Sequence, residues 1–193
     1  MALWGITDAD EAKPKWLTTA QKKEVFANNS GWVVEAGSTQ TGNDNTDAQP
    51  EVLCCVGDLA TGIGAADITE IEFITTAFDK SDGGNIDVRV RFNEQVTVNT
   101  SGGTPTLTIT NDTPSRNLTA TYLSGSTTNE LIFRKTIAAA NAATNADDVL
   151  VIGANPLALN SSTIKDTADG TTNATITSVA SIGAAAGTIT VAA

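Results

Sequence analysis

The sequence predicts an all-β protein: a β-sandwich over residues 67–193, preceded by an extended, partly helical N-terminal arm and linker over residues 1–66. Three observations carry this reading. From Asp67 onward, short runs with alternating apolar side chains are separated by Gly, Pro, Asn, Asp and Ser turns, the pattern of antiparallel strands in a sandwich. Residues 1–26 run instead in a helix-like rhythm and hold Trp4 and Trp16, two of the three tryptophans. Charge divides in the same place: four acids balance Lys13, Lys15, Lys22 and Lys23 in residues 1–26, so the whole net charge of −11 lies beyond them.

Taken in order, Thr18 with Gln21 has the spacing of a capping box, and "TTAQKKEVFANN" follows as a short helix with Val25 and Phe26 on its apolar side. Asn28-Asn29-Ser30-Gly31 stops it, and "GWVVEAG" reads as a strand. Residues 37–50 are almost wholly polar and form a solvated loop. "EVLCCV" is a continuous apolar run, suited to a strand covered on both faces or paired with another chain. "ITEIEFIT" and "NIDVRVRFNE" alternate cleanly, the second with Ile86, Val88, Val90 and Phe92 inward and Asp87, Arg89 and Arg91 outward. "QVTVN", "TLTIT", "NLTATYL" and "ELIFRKTI" continue the series, with "VLVIG", "PLALN", "TIKD", "TNATITSVA" and "GTITVAA" as further short strands. The segments "IGAADITEI" and "IGAAAGTIT" echo each other and are candidates for pairing.

The chemistry is marked by what is missing. The 193 residues include no histidine, which removes the commonest general base and metal ligand. There is no G-x-S-x-G elbow, no phosphate-binding glycine loop and no aromatic-lined carboxylate pair, so no enzyme activity and no cofactor are expected. Cys54 and Cys55 are adjacent and read as small apolar residues, compatible with a reducing cytoplasm. An acidic chain without clustered Lys and Arg is a poor nucleic-acid binder. No run nears the ~20 apolar residues of a membrane span, and no signal peptide is evident. Asp79, Asp82, Asn85 and Asp87 gather around Gly83 and Gly84, a set of hard oxygens that would suit calcium, although an ordinary hairpin turn explains them too. Arg89, Arg91, Arg134 and Lys135 read as solvated sheet-face charges, with an acidic partner or neighbouring subunit as the alternative.

Two resemblances then add to the residues. Over residues 86–177, "VRVRFNEQVTVNTSGGTPTLTITND", "ATYLSGSTTNELIFRKTI" and "LALNSSTIKDTADGTTNATI" resemble a bacterial Ig-like repeat of large surface adhesins, whose usual "D-x-x-G-N" ending stands here altered as "DTADGTTN". That resemblance implies an Ig-like sandwich that acts as a scaffold. "MALWG", "KPKWLT" and "GWV" resemble the N-termini of small virion structural proteins of tailed phages, particularly marine and cyanobacterial ones. Together they imply a capsid decoration, or cement, protein. It would be made in the host cytoplasm and sit on the capsid surface of the virion, with the major capsid protein and neighbouring copies of itself as partners. On this reading Trp4, Trp16, Phe26 and Trp32, with Lys13 and Lys15, form the contact surface, because tryptophan anchors interfaces and a terminal segment frays unless it is tied down. The alternative is a tail- or fibre-associated module that binds host surfaces or carbohydrate through the loops at 79–85, 111–116 and 124–129.

Overall fold

The computed structural model describes residues 13–193 and is all-β, with β-sandwich-like character. Its spine is one long strand, β6 (Gly84–Asn99), whose first half alternates buried and half-buried residues as its sequence demands. That half pairs antiparallel with β4 (Ile68–Phe73) on one side and β9 (Thr128–Ile137) on the other. The register to β9 shifts between Arg91 and Val96, across Asn93-Glu94. Beyond it β6 takes a different partner, β12 (Thr163–Asp166). A strand that changes partners at an irregularity is how a sheet turns a corner around its core. From β9 the ladder continues through β8 (Leu118–Ser124) to β7 (Thr106–Asn111). β7 then meets β11 (Leu157–Ala158) at one end and β10 (Val149–Val151) at the other. β10 pairs with β13 (Ile189–Ala192), which lies parallel to the short β5 (Phe78–Asp79).

The inward residues of all these strands converge on one apolar core. Phe73, Val88, Val90, Phe92, Leu107, Ile109, Leu131, Phe133, Leu150 and Ile189 are among its members. Tyr122 meets Phe133 edge-on, ring centroids 6.0 Å apart, and its hydroxyl accepts from the Ser126 amide at 2.9 Å. Core packing and the turn after β8 are thus tied through one side chain.

The expected extended arm is not what the described residues show. Residues 13–63 form a packed module with an apolar core of its own. The capping box is present: Gln21 N–H donates to Thr18 Oγ1 at 3.2 Å, and Thr18 N–H donates to Gln21 Oε1 at 2.9 Å. It starts a helix of only five residues, α1 (Thr19–Lys23), whose last turn carries Lys22 and Lys23. Val25 and Phe26 lie beyond it, in β1 (Val25–Asn28), which forms a tight antiparallel hairpin with β2 (Gly31–Val34). Both strands are apolar on both faces, so both faces must be covered. One face packs Val25, Ala27, Trp32 and Val34 against Leu59, Ala60 and Ile63 in and just after α2 (Leu59–Gly62). By alternation Phe26 and Val33, which face each other across the ladder, take the other side.

β3 (Glu51–Cys55) pairs with β2 and forms the outer edge of this small sheet. Gly31 permits the approach: its φ is +133°, and a Cβ there would stand 2.0 Å from the Cys54 carbonyl oxygen. "EVLCCV" is therefore not covered on both faces. Glu51, Val52 and Cys55 are exposed. The register slips between Val52 and Cys54, so Leu53 and Cys54 both pack on the small core. A bulge of this kind blunts an edge against further strand pairing.

Two further expectations are corrected. "TNATITSVA" contributes only single bridges, at Asn173 and Thr175, in place of a strand. The two echoing segments do not pair among the described residues, because "IGA" at the start of the second lies in α3 (Ala180–Ala184), before β13 begins.

Candidate partner surface and the seam beneath it

Trp4 lies outside the described residues. The other predicted contact residues separate into two groups. Trp32 is fully buried and Phe26 is 2% exposed, both inside the chain's own fold, so neither forms a surface. The sequence placed them in an arm because no apolar partner was obvious. Trp32 packs against α2, and the strand that carries Phe26 lies against β6. Trp16, by contrast, is 60% exposed, and Lys15 beside it is exposed too.

Residues 13–23 hold Trp16 and Lys15 in a defined place. Pro14 is buried, and its carbonyl accepts from Leu17 N–H at 3.2 Å to close a turn around Trp16. Leu17 packs on the small core. Lys13 folds back, its Nζ donating to the Lys22 carbonyl at 2.7 Å. It is consumed in holding the segment and is not displayed. Burial lowers its ammonium to about 8, with Glu35 and Glu70 acting the other way.

Beneath this segment the module meets the sandwich through charge. Glu35, just after β2, accepts from Arg91 Nε at 3.2 Å, from Arg91 Nη2 at 3.3 Å and from the Asn129 amide at 2.7 Å. Arg91 also donates to Glu130 at 2.6 Å and to Glu70 at 2.8 Å. Lys23 from α1 pairs with Glu70. Arg89 pairs with Glu72, and with Glu130 at 3.1 Å. The two arginines are therefore not solvated sheet-face charges: Arg91 is 5% exposed, because the module covers the face it stands on. Burial works against its charge, but Glu35, Glu130, Glu70 and Glu72 more than offset this and hold it protonated beyond its ordinary range. Burial also opposes the charge of Glu70, yet hydrogen bonds from Lys23 and Arg91 keep that carboxyl below its usual value.

Elsewhere along the same junction β1 touches β6 directly, through a single parallel pair of Ala27 with Glu94. Glu94 is fully buried, and Asp166, whose strand pairs with β6 at Val96, is 1% exposed. Asn28, Asn29 and Ser30 of the hairpin turn, with Gln95, Asp166 and Thr167 of the sandwich, line a cavity of about 320 Å³ there.

Side-chain oxygens of Asp79, Asn85 and Asp87 in the 79–87 turn are engaged in protein contacts. Asp79 Oδ1 accepts from Ser81 N–H and Oγ, both at 2.7 Å. Asp87 holds the Arg134 guanidinium in a two-pronged pair at 2.7 and 2.6 Å. Among the described residues no three His, Cys, Asp or Glu side chains converge to hold a metal ion. The seam was the site that sequence reasoning missed. Its signal was present in "TEIEF" and "VRVRF", whose acids and bases stand opposite each other at Glu70–Arg91 and Glu72–Arg89 once the strands pair. Comparison with family models, curated proteins and solved structures finds no match for this chain.

Proposed function

We propose that this chain is a capsid decoration protein, which binds the outer surface of a phage head and stabilises it adhesively. The N-terminal segment docks on the major capsid protein or on a neighbouring copy, and the acidic Ig-like sandwich faces outward. The observation that carries the reading is Trp16. A large aromatic side chain, 60% exposed, stands on a segment pinned by a capped helix, a buried proline and the Lys23–Glu70 pair. Such a side chain is costly in water and already ordered, so a partner that covers it gains apolar burial without first paying to fix the segment. Lys15 beside it supplies a positive contact on a chain whose net charge is −11. The acidic remainder keeps particles apart in solution, and many symmetric copies add up through multivalency.

The test is co-sedimentation of the purified chain with undecorated heads. Trp16→Ala is expected to weaken binding at least ~10-fold, the loss typical of an interface anchor, while the circular dichroism spectrum and thermal midpoint stay those of the parent. Decoration that persists undiminished in the variant rejects the reading. Deleting residues 1–26 is the poorer experiment, because it cuts into β1 and removes Lys23 from the seam.

A further inference from the structure

Copies of this chain, each with a net charge of −11, repel one another unless opposite signs meet locally. The N-terminal module carries two surfaces where they can. Residues 13–23 hold four lysines and no acid, whereas residues 24–79 hold ten acids and no base. Lys13 Nζ reaches the Lys22 carbonyl at 2.7 Å, which folds the two ends of the basic segment together and makes Lys15, Trp16 and Lys22 parts of one short patch. Lys15 and Trp16 are exposed, and neither Lys15 nor Lys22 has an ion-pair partner among the described residues. Of the acids, Glu35, Glu70 and Glu72 are engaged by the seam arginines. Asp44, Asp47 and Glu51 are exposed and make no ion pair among the described residues. Asparagines build the loop that bears them: Asn45 N–H donates to Asn43 Oδ1 at 3.1 Å, and Asp47 N–H donates to Asn45 Oδ1 at 3.0 Å. The aspartate carboxyls are left unused. Glu51 then opens β3 beside Val52, which is 47% exposed.

We propose that these surfaces are the two halves of a docking pair between copies: Lys15, Trp16 and Lys22 of one copy seat on Val52 and the Asp44–Asp47–Glu51 edge of a second.

Each surface sets one exposed apolar side chain among charges of a single sign, and the signs are opposite. Covering Trp16 with Val52 removes apolar area from water, and the lysines on the carboxylates fix the register and reject like-charged alternatives. Both halves are ordered beforehand, one by the Pro14–Leu17 turn and the other by the asparagine turns, so little freedom is lost on docking. The contact is made by side chains and adds no strand, so the bulge that blunts β3 does not oppose it. Among the described residues no lysine of 13–23 pairs with Asp44, Asp47 or Glu51 of its own chain, which leaves both halves open to another copy. Every copy carries both halves, the condition for repeated contacts in a symmetric array. The inference rests on the contact role given to Trp16 above and names the neighbouring copy as what that side chain meets.

The test is sedimentation velocity of the full chain without heads, at low salt, with two variants: Lys15→Glu/Lys22→Glu and Asp44→Lys/Asp47→Lys. The parent is expected to self-associate as its concentration rises, and to lose at least about tenfold in affinity when salt screens the charges. Each variant alone sets like charges against each other and stays monomeric. An equimolar mixture of the two brings opposite signs together again and associates. A monomeric parent, a monomeric mixture, or an affinity indifferent to salt overturns the proposal. So does an Asp44→Lys/Asp47→Lys chain that associates with itself better than the parent, because lowered net charge alone would then be the cause. Zero-length carbodiimide coupling of mixed isotopically light and heavy parent chains decides independently of any variant's folding. It is expected to join Lys15 or Lys22 to Asp44, Asp47 or Glu51 across copies, and coupling of these residues within single copies alone overturns the pair. No heads are present, so failure here leaves the decoration reading to its own co-sedimentation test, and the reverse holds.

Discussion

The two cores of this chain differ in kind. The sandwich gathers 24 buried apolar residues from ten of its strands and adjoining loops, and its strands interlock around them. The module gathers seven, from one hairpin and one short helix. A core that small buries too little to fold alone with any margin. The module compensates through attachment, and the attachment is mostly ionic. Buried ion pairs repay little net free energy, because desolvation consumes most of the attraction. They do impose geometry: Arg91 is satisfied only when Glu35, Glu70 and Glu130 all arrive. One region is thus stable through area and the other through position, and substitutions in the two should behave differently.

The largest contrast comes from deleting one aromatic ring in each core. Phe133→Ala is expected to lower the stability of the whole chain by about 4 kcal/mol, moving every probe together. Trp32→Ala should cost a similar amount within the module yet leave the sandwich transition in place, so that calorimetry resolves two transitions where the parent shows one. A single transition displaced alike by both would erase the distinction. Next comes Arg91→Met, which strands the Glu35 carboxylate and leaves Glu70 to Lys23 and Glu130 to Arg89; it is expected to cost about 3 kcal/mol of module docking, read as lost amide protection in β1 and β2. Adding Glu35→Gln to it should recover part of that cost, since one stranded charge is gone. The smallest effect belongs to Val52→Lys. Val52 is 47% exposed on the blunted edge of β3, so the change should stay within about 0.5 kcal/mol. A larger loss would mean that the edge strand bears on the small core.

Much of the sandwich was legible because its signals are local. Alternation in "NIDVRVRF" and "ELIFRKTI" and the turn residues between strands are read over a few positions, and β6 and β9 follow them closely. Thr18 and Gln21 announced the start of α1 for the same reason. The module was harder. "VFAN" and "GWVV" are apolar on both faces, and residues that look unpartnered in sequence suggest a surface. Their partners lie some thirty residues away in α2 and some sixty away in β6, beyond the reach of pattern. Phe26 and Trp32 were misread on that account, whereas Trp16, on the turn closed by Pro14 and Leu17, is exposed. Arg89 and Arg91 alternate outward correctly, but outward of the sandwich means inward of the seam. Alternation gives the face and says nothing of what covers it.

The seam also sets an order in time. Chains emerge from the ribosome N-terminus first, and domains commonly fold as they appear. Here the earliest segment made cannot reach its place early. Its anchoring partners are Glu70, Arg91, Glu94 and Asn129, and its hairpin turn faces Asp166 and Thr167 across the cavity. The hairpin that carries Trp32 must wait until β9 and β12 have been synthesised and joined to β6. The module leaves the ribosome before the sandwich and settles after it, and until it does the hairpin face that carries Phe26 and Val33 is open to whatever is nearby.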